Sequence, residues 1–169
     1  YVIKTDSLGD IQHQKVVYNV SVHQYIYEIL QDENYFVAIG STSLNNGDLY
    51  LLKFNSELEL IWTKTFGGNN LDIGLSIDKS EDNGFILGGI SKSFSNGYFV
   101  ESYVIKTDTA ASIIWERTYS SAGHDRCKSV RYKPGIGYIL AGSSETNNNI
   151  ANAKLRLLDY SGNILAENS

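Results

Sequence analysis

The sequence predicts an all-β repeat fold, a β-propeller of four-stranded antiparallel blades, with about three and a half blades in its 169 residues. Three observations carry the prediction. A YVIKTD box at residues 1–6 recurs at 103–108 and, degraded to YLLKFN, at 50–55. A Gly-ended box follows each copy: FVAIG at 36–40, FILGG at 85–89 and YILAG at 138–142. Tyr1 to Gly40, Tyr50 to Gly89 and Tyr103 to Gly142 are each 39 residues apart, a register that chance composition does not hold.

Between these boxes lies a looser one, IWTKTF at 61–66 and IWERTY at 114–119, with His13 standing where the other copies have Trp62 and Trp115. A partial fourth copy begins near Lys154. Length varies only between the Gly box and the next Lys-containing box, by four residues in the copy holding Phe94–Ser102, as in a scaffold with one display loop. Each unit offers four strands, typified by Ile73–Lys79, Phe85–Ser91, Ser102–Asp108 and Ile113–Tyr119, joined by turn chemistry such as Asp82, Asn83 and Gly84. The second strand is apolar without alternation, as expected where both sheet faces are covered. Its closing glycine (Gly40, Gly89, Gly142) predicts a close backbone approach. Residues 16–30 read as two strands, since they hold Val, Ile and Tyr and no helical period. A β-solenoid has shorter repeats, and a β-sandwich would not keep the register. The expected division is 1–17 as two outer strands of one blade, then blades at 18–66, 67–119 and 120–169. Three and a half blades fall short of the four to eight of a closed ring. Further blades, from the same polypeptide or another chain, are therefore expected partners, and the absence of Met predicts a piece of something longer.

Composition narrows the function classes. An apolar fraction of 42% and a charged fraction of 20% are those of a folded domain. A net charge of −5 argues against nucleic-acid binding, and no apolar run is long enough for membrane insertion as a helix. Cys127 has no intrachain partner and stands where the preceding repeat has Gly74, so it reads as a small buried thiol. The three histidines, His13, His23 and His124, are scattered, and no hydrolase, P-loop or metal-ligand spacing appears, so no catalytic residue, cofactor or metal is expected. The Asn-rich loops at Asn45–Asp48 and Asn147–Asn149 read as turns. Trp62 and Trp115, like Lys4, Lys53 and Lys106, recur by repeat and read as packing residues. Asn19 opens a formal N-glycosylation sequon.

The boxes at Tyr103–Asp108, Trp62–Gly68, Asp72–Ile77 and Asp82–Gly89 resemble the secreted β-propeller repeat proteins of Bacteroidetes, many exported by type IX secretion. The resemblance covers nearly the whole chain, though no sorting domain is present. It implies an extracellular or outer-membrane-associated location and a non-enzymatic module binding a protein or glycan. The alternatives are part of a glycan-active hydrolase or lyase, or a structural subunit of an outer-membrane assembly. By the geometry of such propellers, Asn69, Asn70, Asp72, His124, Asp125 and Arg126 lie on one face and are candidates to converge on a polar ligand such as a sugar. The plainer reading is that Asp72 and Asp125 fix equivalent turns. Ser7 and Thr109, each after Asp and before an apolar residue, match the short O-glycosylation motif of exported Bacteroidetes proteins.

Overall fold

A computed structural model describes residues 2–16, 22–32, 34–95, 98–121, 123–145 and 150–168, with the Asn45 side chain also outside the description. The chain is all β. The described residues form fourteen strands in four antiparallel sheets that pack one on the next as blades of a propeller. A half blade pairs β1 (Val2–Thr5) with β2 (Ile11–Lys15). Blade 1 runs in order through β3 (Gln24–Asp32), β4 (Tyr35–Thr42), β5 (Asp48–Asn55) and β6 (Leu60–Phe66). Blade 2 is β7 (Asp72–Lys79), β8 (Phe85–Ser91), β9 (Glu101–Thr107) and β10 (Ile113–Tyr119). Blade 3 is β11 (Asp125–Lys133), β12 (Gly137–Glu145), β13 (Ala151–Leu158) and β14 (Ile164–Glu167). Residues 16–30 supply one strand start, β3 at Gln24, because β2 ends at Lys15; residues 17–21 lie outside the described ones. No helix among the described residues is long and apolar enough to cross a membrane.

The Gly box has a single physical cause. Each inner strand carries a bulge at the same register, at Ile26/Glu28 in β3, Gly74/Ser76 in β7 and Cys127/Ser129 in β11. The bulge turns a carbonyl toward the second strand. A Cβ on Gly40, Gly89 or Gly142 would sit 1.7, 1.9 and 1.7 Å from the Tyr25, Ile73 and Arg126 carbonyl oxygens respectively. No side chain fits there.

The acid or amide closing the first box makes the turn into each outermost strand. Asp6, Asn55, Asp108 and Asp159 each accept two backbone N–H groups through one side-chain oxygen, from the residues two and four further on. The residue after next but one takes a left-handed φ: Gly9, Leu58, Ala111 and Gly162 at 90°, 61°, 59° and 81°. These are Asx turns, in which a short side chain replaces a backbone acceptor.

Three apolar clusters lie between successive sheets. Ala38, Tyr50, Leu52 and Phe54 meet Val2 of the half blade. Val37, Ile39, Leu49 and Leu51 of blade 1 meet Phe85, Leu87, Tyr103 and Ile105 of blade 2. Ile86 and Val104 of blade 2 meet Cys127, Val130, Tyr138 and Leu158 of blade 3. Burying each such aliphatic side chain contributes roughly 1.5–3 kcal/mol.

Polar contacts fix the order of the inner strands. Glu28 accepts the Ile77 amide at 2.7 Å, Ser76 accepts the Val130 amide at 3.1 Å, and Asp78 accepts the Tyr132 amide at 2.8 Å. Glu28 and Ser76 hold equivalent bulge positions, so one blade's bulge residue satisfies the next blade's backbone. Arg131 of β11 then donates to Ser76 Oγ at 2.9 Å and to Glu28 Oε1 at 2.7 Å, joining all three inner strands.

Candidate functional site

The residues expected to face a ligand lie at the starts of β7 and β11 and in the loops before them. Asp72 is fully buried, and its Oδ2 accepts the Gly68 amide at 2.9 Å and the Ser93 hydroxyl at 2.6 Å. Ser93 Oγ in turn accepts the Asn70 amide at 3.0 Å. The chain reverses tightly here, since Gly67 has φ 139° and a Cβ on it would meet Asp72 Oδ2 at 2.3 Å. Asp125 is also fully buried, and its Oδ2 accepts the Ser121 amide at 2.7 Å, the same four-residue closure as Asp72 with Gly68. Both aspartates hold the turn that feeds an inner strand.

The two carboxylates differ at their other oxygen. Asp125 Oδ1 accepts Arg156 Nη2 at 2.9 Å, and Arg156, almost completely buried, also bonds Glu167 Oε2 at 2.9 Å. Asp72 Oδ1 has no hydrogen-bond partner among the described residues. Aligned on the acid that closes the box, Arg156 falls where earlier copies have Leu52 and Ile105, neither of which can donate. An arginine at an otherwise apolar inward position was the sequence signal for this buried pair. Glu28 and Arg131, which tie the inner strands, carry no such signal, since their counterparts in β7 are Ser76 and Asp78, and sequence reasoning passed over all three. Asp72 and Asp48 lie close enough to Tyr103 to add to burial and the Glu116 carboxylate in pushing its hydroxyl well above the ordinary tyrosine value.

Asn69 and Asn70 are exposed, and the Asn69 carbonyl accepts Asn46 Nδ2 at 3.1 Å. His124 Nδ1 accepts the Val100 amide at 2.9 Å, and its ring stands edge-on to Phe99 at 5.3 Å. Arg126 pairs with Glu145 at 2.5 Å. No hydrogen bond or ion pair among the described residues joins the Asn69–Asn70–Asp72 group to the His124–Asp125–Arg126 group. Within each group the charged side chains are engaged in holding loops.

Cys127 is buried against Gly88, where a Cβ would meet its Sγ at 2.8 Å. Burial pushes its thiol up to about 12, so it stays protonated and unreactive at neutral pH. No group of three or more His, Cys, Asp or Glu among the described residues is arranged to hold a metal. Ser7 and Thr109 are exposed at equivalent Asx-turn tips. The Asn19 sequon and Asn147–Asn149 lie outside the described residues. No protein-family model and no curated protein sequence matches this chain.

Proposed function

We propose that this chain belongs to a non-enzymatic propeller, secreted or held at the cell surface, that serves as a rigid module for binding a protein or glycan. Its ring is completed by further blades, from the same polypeptide or another chain. The observation carrying this reading is the apolar sheet surface left at both ends of the arc. At one end, inner strand β3 exposes Tyr25, Ile26, Tyr27 and Ile29, each by about half. At the other, Ile139 and Leu155 are 39% and 53% exposed on the open face of blade 3. Each internal blade face is covered by a neighbour, and wet apolar faces of this kind mark a site of association. Light scattering tests the assembly: the isolated 169-residue chain is expected to self-associate as its concentration rises. A monodisperse monomer that binds no hydrophobic dye would overturn it.

Export in the manner of the Bacteroidetes repeat proteins, including type IX secretion, rests on the resemblance of the repeat boxes. Exposed Ser7 and Thr109, each following the aspartate of an Asx turn, are then sites for O-glycans. Intact mass of protein from its native source checks this. Whole glycan increments are expected, and a mass equal to the bare sequence removes the modification.

A further inference from the structure

Asp72 and Asp125 lie at one edge of the blades, and the opposite edge carries a cleft of about 400 Å³ between blades 2 and 3. That volume is within the roughly 300–1,000 Å³ of small-ligand sites. Its floor is Tyr138, and Trp115 and Tyr160 are inclined to that ring by 63° and 82°, with centroids 6.0 and 6.2 Å away. The rings are fixed by hydrogen bonds inside the protein. Trp115 Nε1 donates to the Tyr160 carbonyl at 3.0 Å, Tyr138 hydroxyl meets Ser80 Oγ at 2.9 Å, and Tyr160 hydroxyl accepts the Gly135 amide at 3.0 Å. Tyr132 backs both Tyr138 and Tyr160.

The cleft departs from the repeat. Where blade 3 has Tyr160, the other copies have Ser7, Ser56 and Thr109. Where β11 has Tyr132, the paired positions of β7 and β3 are Lys79 and Gln31. Residues that pack blades recur from copy to copy, as Trp62 and Trp115 do. Tyr132 packs against the apolar cluster between blades 2 and 3, whereas Tyr160, 38% exposed at the groove, belongs to no such cluster.

Its polar edge is an oriented acceptor. Lys106 Nζ donates to both oxygens of Asp82 at 2.8 Å and to the Thr107 carbonyl at 2.7 Å, which uses all three ammonium protons. Asp82 remains about half exposed. Burial opposes its ionisation, but Lys106 and the Gly84 amide outweigh it and hold the carboxyl below its ordinary value. Exposed Glu81 stands beside it. A fitting ligand therefore has apolar C–H faces for the rings and hydroxyl donors for the carboxylates. Lys106 neutralises one of the two carboxylates, so the wall keeps a single net negative charge and an organic cation is the competing ligand to test.

We infer that this cleft binds a pyranose ring of a glycan, stacked against Trp115 and Tyr160, with its hydroxyls donated to Asp82 and Glu81. The inference rests on the binding-module reading and names its ligand class. Saturation-transfer NMR with the methyl glycosides of glucose, galactose, mannose and N-acetylglucosamine tests it. Transfer to at least one glycoside is expected, falling at least fivefold in Tyr160→Thr, which restores the residue of the preceding copy. Glu81→Gln, at an exposed turn, is expected to weaken the same signal and serves if Tyr160→Thr fails to fold. No transfer to any of the four, undiminished transfer in the folded variants, or binding of choline chloride in their place would overturn the site. Glycoside binding by a chain that stays a monodisperse monomer and binds no hydrophobic dye would overturn the assembly reading alone.

Discussion

Gly89 shows how a single atom fixes a blade. The Ile73 carbonyl occupies the space of its missing Cβ, and the bulge that puts it there recurs in every inner strand. Gly89→Ala must therefore move backbone, and a cost of at least about 2 kcal/mol is expected in urea unfolding. Gly135 gives the contrast, with a left-handed φ of 76° but nothing within 4 Å of an added Cβ. Gly135→Ala should cost only about 1 kcal/mol, from backbone strain alone. Equal losses at the two positions would contradict the bulge argument. The Gly box was legible because the clash recurs in each copy at constant spacing. The Asp125–Arg156 pair was not, because it occurs once and joins residues on different strands.

At the scale of elements, the inner strands are bound by side chains to each other's backbones. Glu28 is central, accepting from the Ile77 amide and from Arg131. Burial works to raise its pKa, but these hydrogen bonds outweigh it and leave the carboxyl below its ordinary value. Asp82, Asp108, Asp159 and Glu167 are shifted in the same direction. A depressed folded-state pKa means that the unfolded chain binds more protons, so stability rises with pH through this range. The contribution is complete above the ordinary carboxylate values and is lost as pH falls through the folded-state ones. Denaturation midpoints measured from neutral pH down to about pH 3 should therefore decline mainly below about pH 5. Glu28→Gln should lower the neutral midpoint and flatten part of that decline. An unchanged slope would show that Glu28 does not carry this linkage.

For the whole molecule, stability follows from neighbours, since each blade buries its faces only against the next. Blade 2 meets that condition, and the exposed faces of β3 in blade 1 and of blade 3 do not, which is why the scattering experiment bears on the entire fold. Residue order alone determined most of the strands, the recurring Asx turns, the blade fold and the approximate count. These depend on local periodicity, on turn residues with fixed φ preferences, and on a clash repeated at constant spacing. Only the tertiary structure decided what the polar residues do. Asp72 and Asp125 became turn anchors because burial and loop amides claim their oxygens, and Arg156 was recruited across three strands. The structure also brought Tyr132, Tyr138, Tyr160 and Trp115 together on the edge opposite the expected one. These rings come from three strands and one turn of two blades, and one-dimensional spacing carries no trace of a proximity made by packing.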